Sequence, residues 1–129
     1  MRVAAARNPK SPVLRREQML HERARSAAMR DAFPKIEQLR FELAFGGTRS
    51  LQPSPQVHTL YPAAAAFFRF ACPCADCNGD FDLTDPVIAL AKAGAPASRG
   101  QLICNGTRRD RPTGSAACSM RLDYRIKSI

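Results

Sequence analysis

Cysteine is the residue in this chain whose spacing most clearly points to chemistry. Five occur, as Cys72-x-Cys74-x2-Cys77, then Cys104 after 26 residues and Cys118 after 13 more. Three thiols within six residues are a poor pattern for inert buried side chains and a good one for ligands of a soft metal ion. Cys74-Ala75-Asp76-Cys77-Asn78-Gly79 has the form C-x-x-C-x-G, in which a tight turn can aim two thiolates at one ion. The glycine lets the backbone fold back, so that amide N–H groups approach sulfur. Cys104-Asn105-Gly106 offers a second such turn, and Cys118 could face Cys104 across a hairpin. Four thiolates converging tetrahedrally would form a closed structural site for Zn2+. Cys77, Cys104 and Cys118 are the expected core of that set. The fourth place stays open between Cys72 and Cys74, since both spacings to Cys77 are permissible. A redox C-x-x-C is the weaker reading, because such motifs open a helix and Gly79 follows here instead.

Roughly residues 70–126 resemble the zinc-ribbon or zinc-knuckle class of small zinc-binding modules, the resemblance being carried by Cys74-x2-Cys77-x-Gly79, Cys104-Asn105-Gly106 and Cys118. It departs from the usual pattern in the 13 residues between Cys104 and Cys118 and in its surplus cysteine. The resemblance implies a cysteine quartet that scaffolds nucleic-acid or protein binding rather than catalysis. If Cys72-Pro73 is the Cys-Pro that often opens such knuckles, Cys74 is the spare.

Little else in the sequence suggests catalysis. There is no Gly-rich phosphate loop, no nucleophile elbow and no histidine–carboxylate pair at catalytic spacing. His21 and His58 stand alone. Asp76, Asn78, Asp80 and Asp82 alternate as in a calcium loop, but glycine and glutamate are missing where such a loop needs them. These acids are expected to cap the turn and the helix that follows. The chain is therefore read as a non-enzymatic protein with no small-molecule substrate.

Charge points toward the partner. The 129 residues carry a net charge of +9, with arginine outnumbering lysine 16 to 4. Residues 1–40 hold +6, residues 41–97 hold −2 and residues 98–129 hold +5. Arginine pairs bidentately with phosphate, so basic flanks suggest RNA, DNA, a ribonucleoprotein or a nucleic-acid machine such as the ribosome or RNA polymerase. Arg15, Arg16, Arg23, Arg25, Arg108, Arg109 and Arg111 are the expected phosphate contacts. The alternative is a protein–protein adaptor that docks through its N-terminal helix. No apolar run reaches the length of a membrane span, and the N-terminal Val3–Ala6 stretch is too short for a secretion signal. A cytoplasmic protein with reduced thiols is the expectation.

The elements that must position these residues are legible in part. Residues 1–10 read as a flexible tail and residues 11–33 as a basic helix. Residues 34–129 then read as a zinc-stabilised domain. Ser11-Pro12 resembles an N-cap with proline at the first helical position, and Pro34 stops the helix. Val13, Leu20, Ala24 and Ala27 form its thin apolar stripe. Leu39, Phe41, Leu43 and Phe45 alternate with Arg40, Glu42 and Ala44 as in a half-buried strand. Residues 48–62 read as a proline-rich loop and Ala63–Phe70 as a strand. Thr84 is the expected N-cap of a short helix that ends at Gly94. Gln101–Cys104 and Cys118–Lys127 read as strands joined by a long loop. The fold class expected is α+β: a basic N-terminal helix, then a small mostly antiparallel sheet with one short helix and a structural four-cysteine zinc site.

Overall fold

A computed structural model describes residues 11–47, 53–111 and 114–129; of residues 109–111 and 114–115 it describes the backbone pairing alone. The expected tail at residues 1–10 lies outside the described residues. The class is α+β, as the sequence suggests. Four strands form the central sheet, all antiparallel and ordered β2-β1-β8-β5. They are β1 (Leu39–Gly46), β2 (Gln56–Leu60), β5 (Ala97–Ile103) and β8 (Arg121–Ser128). Two small hairpins complete the strands: β3 (Arg69–Ala71) with β4 (Asp80–Asp82), and β6 (Thr107–Arg111) with β7 (Gly114–Ala117).

The alternation in β1 does what its period demands. Leu39, Phe41, Leu43 and Phe45 are buried and the residues between them are not. Leu122 and Ile126 of β8 share that face, which packs with Phe68, Phe70, Phe81 and Leu83. Tilted ring contacts bind it together, Phe41 to Phe70 at 5.2 Å and Phe45 to Phe81 at 5.8 Å. Helix α3 (Thr84–Ala93) adds Val87 and Leu90. It ends on Gly94 at φ 61°, the left-handed cap conformation glycine adopts freely. Its start differs from expectation. Leu83 occupies the cap position, while Asp82 Oδ1 accepts the backbone N–H of Thr84 at 3.0 Å.

The N-terminal helix is shorter than its propensity suggests. Helix α1 (Pro12–Ala24) begins as expected, with Ser11 accepting the Leu14 N–H, but a turn separates it from the single turn α2 (Met29–Ala32). The cause is tertiary. Ala27 and Met29 bond Ala66 and Ala64 across a bridge between Ala28 and Ala65, which draws the chain out of helical geometry. The buried face also differs from the alanine-rich stripe. Arg15 and Met19 turn inward, while Val13 and Leu20 are exposed. Strand β2 occupies part of the expected loop, and only the end of the expected strand at Ala63–Phe70 joins a ladder. The stretch between Cys104 and Cys118 is itself a hairpin, β6–β7. Among the described residues no helix is long and apolar enough to cross a membrane.

Candidate metal centre

The five cysteines are all buried, and none is disulfide-bonded. Four of them converge: the Sγ atoms of Cys72, Cys77, Cys104 and Cys118 all lie within 4.8 Å of one another. A tetrahedral ion with metal–sulfur bonds of about 2.3 Å, the zinc–thiolate value, holds its sulfurs about 3.8 Å apart. Cys72 and Cys118 are 3.8 Å apart and Cys77 and Cys104 are 3.5 Å apart. This quartet could hold a metal ion. The place left open between Cys72 and Cys74 goes to Cys72, and Cys74 is buried outside the four.

Two knuckles build the site from similar bonds. The first is the loop of the β3–β4 hairpin, where Cys72 donates its backbone N–H to Gly79 O at 3.1 Å. Gly79 returns its own N–H to Cys77 Sγ at 3.3 Å. The second spans the foot of the β6–β7 hairpin, where Cys118 donates its N–H to Gly106 O at 3.0 Å and Gly106 donates to Cys104 Sγ at 3.3 Å. Amide N–H groups aimed at sulfur favour the thiolate form. The glycines are required by proximity. A Cβ on Gly79 would lie 2.6 Å from Gly106 N and collide with Cys104 Sγ, and one on Gly106 would collide with the Gly79 backbone.

The asparagines between cysteine and glycine stitch the knuckles to each other. Asn78 Oδ1 accepts the Thr107 N–H at 2.8 Å, and Asn105 Oδ1 accepts the Asp80 N–H at 2.8 Å. Sequence reasoning missed these residues, although Cys-Asn-Gly occurs twice, at 77–79 and 104–106. That repeated tripeptide was the available signal.

Hydrogen bonding divides the thiols. Bonds from Cys104 hold Cys77 and Cys118 below the ordinary thiol value, while bonding to Cys104 pushes Cys72 up and bonding to Cys118 pushes Cys104 up. Burial raises Cys74. Four buried thiolates in contact repel one another unless a cation balances them.

No protein-family model, curated protein or solved structure matches the chain. The geometry therefore stands on its own.

The arginines expected at phosphates are placed differently from one another. Arg15 is a correction. It is buried, and it donates to Asp80 Oδ2 at 3.1 Å beside Arg69, which reaches the same oxygen at 2.8 Å. Its charge is neutralised inside the fold and does not face solvent. Arg16 is drawn to the first knuckle, donating to Cys74 O at 2.8 Å and to Cys72 and Cys77 O at 3.4 Å. Arg23 lies over the Phe67 ring with its guanidinium carbon 5.5 Å from the centroid, and Arg25 is exposed. Arg108 pairs with Asp76 at 3.2 Å. The side chains of Arg109 and Arg111 lie outside the described residues. Two of the expected phosphate contacts, Arg15 and Arg16, thus serve the metal centre's surroundings.

Proposed function

We propose that this chain is a non-enzymatic zinc-binding module whose Cys72, Cys77, Cys104 and Cys118 bind one Zn2+ as a structural centre, and that the domain so fastened binds nucleic acid or a nucleoprotein machine. The observation that carries the metal reading is the buried quartet of sulfurs, two of its edges at tetrahedral thiolate spacing. Zinc suits an all-thiolate donor set, and four protein ligands leave no position for a reacting water. Such an ion acts through folding: it joins two knuckles that come from separate parts of the chain.

The polyanion reading is supported by the +9 net charge and by arginine usage. It predicts binding that weakens steeply as salt rises. Protein purified without chelator should carry one zinc per chain, and its affinity for nucleic acid should fall at least tenfold between 50 and 200 mM salt, on the order expected for several phosphate contacts. A folded, metal-free protein would refute the first half, and a salt-insensitive affinity the second.

One feature favours the adaptor as a second reading. Val13, Leu14 and Leu20 of α1 are exposed large apolar side chains, the kind of helical surface a protein partner covers. A partner that survives nuclease treatment in a pull-down would favour the adaptor.

A further inference from the structure

The central sheet buries one face and, among the described residues, leaves the other open. Across the open face the strand registers set side chains in rows. One row runs Val57, Glu42, Arg125, Arg99, and the next runs Thr59, Arg40, Lys127, Ala97. Beyond the first row lie Ala44, Asp123 and Gln101, and then Gly46, Arg121 and Ile103. Five cations therefore share this face with two carboxylates. Arg40, Arg99, Arg121, Arg125 and Lys127 are all exposed.

The carboxylates are taken. Glu42 pairs with Arg40 at 3.1 Å and with Lys127 at 3.3 Å. Asp123 pairs with Arg121 at 3.5 Å and also accepts from Gln101. Arg99 and Arg125 face each other directly across β5 and β8, and among the described residues neither has an ion pair. Like charges set directly opposite in an antiparallel ladder destabilise it. Two open concavities meet at this pair, one of about 650 Å³ and one of about 370 Å³, and Arg99 and Arg125 line both.

We infer that the open sheet face, centred on Arg99 and Arg125, is the surface that binds the phosphate backbone of a nucleic-acid duplex. This rests on the nucleic-acid reading above and assigns it a place the arginine-rich sequence segments did not suggest. A phosphate between the two guanidiniums turns their repulsion into shared attraction, and arginine forks fit its oxygens bidentately. Side chains two apart on a strand repeat about every 6.7 Å, so a backbone crossing the rows meets Arg125 with Arg99 and then Lys127 with Arg40. No aromatic side chain belongs to these rows, so the face lacks the run of aromatic platforms on which single-stranded bases stack, and recognition is independent of sequence.

The test uses full-length, zinc-loaded protein and fluorescent 20-base-pair duplexes of mixed sequence, one RNA and one DNA, with affinity read by anisotropy across a salt series. The double variant Arg99→Gln, Arg125→Gln should bind each duplex at least tenfold more weakly. On DNA its log–log salt slope should be shallower by about 1.8, two phosphate contacts of about 0.9 each. The arm with the tighter wild-type affinity identifies the polymer. Its melting temperature should be equal to or above the wild type's, because a repulsion has been removed. Lys35→Gln with Lys92→Gln removes the same charge elsewhere and should change affinity less than twofold. If the double variant binds as the wild type does, the assignment of this face is wrong while nucleic-acid binding stands. If the wild-type protein itself binds neither duplex, the nucleic-acid reading falls and takes this inference with it. If polyglutamate of equal charge displaces the duplexes as readily as unlabelled duplex does, the surface recognises acidic protein and the inference is overturned.

Discussion

The two knuckles make the same bonds but are held by different means. The second stands on the central sheet: Cys104 follows β5 and donates its backbone N–H to Met120 O, one residue before β8. The first hangs from β3 and β4, strands of three residues each, too short to persist alone. Helix α1 compensates. Arg16 gathers the carbonyls of Cys72, Cys74 and Cys77, and Arg15 reaches Asp80, whose other carboxylate oxygen accepts from Asn105 Nδ2 at 2.7 Å. An ion held by the quartet would therefore join a firm half to a weak one, and the basic helix braces the weak half.

The largest expected effects come from breaking the quartet. Cys72→Ser or Cys118→Ser should each abolish stoichiometric zinc and cooperative folding, since a structural zinc contributes on the order of 10 kcal/mol in apparent terms. Cys74→Ser should keep both. Circular dichroism melts with metal analysis on all three variants check this, and zinc loss in Cys74→Ser would show that the fifth thiol is a ligand. Next comes the contact between the knuckles. Gly79→Ala forces a methyl against Gly106 and Cys104 and should cost about 3 kcal/mol in chemical denaturation, as overpacking does. A smaller effect is expected at the brace. Arg16→Gln should cost about 2 kcal/mol by freeing carbonyls on the first knuckle alone. Amide exchange should then quicken at residues 72–79 and stay unchanged at 104–106; equal quickening at both would contradict the division into firm and weak halves.

Much of the firm half was legible in the sequence. The strict alternation of β1 leaves one face to bury, and Met120, Leu122 and Ile126 follow the same rule in and just before the neighbouring strand β8. Cys104 and Cys118 announced themselves because a glycine or a strand fixed their surroundings, and in the weak half Cys77 did so through Gly79. The weak half was harder to read for a physical reason. Arg15 is buried only because Asp80, 65 positions away, receives it, and no local pattern reports a partner at that distance. The helix break at residues 25–28 follows from backbone pairing with Ala64 and Ala66, which overrides good local propensity. Strand β2, bounded by Pro55 and polar in part, exists because β1 offers it a free edge. The choice between Cys72 and Cys74 turned on the same kind of fact. Cys72 follows β3 and is placed by its bond to Gly79, which spacing alone does not encode.

The central claim is that one ion draws sulfurs from both knuckles into a closed shell. X-ray absorption at the zinc edge of protein purified without chelator measures this directly. The account predicts four sulfur neighbours at about 2.3 Å and no nitrogen or oxygen neighbour. A mixed shell, fewer than four sulfurs, or a folded protein with no zinc signal would contradict it.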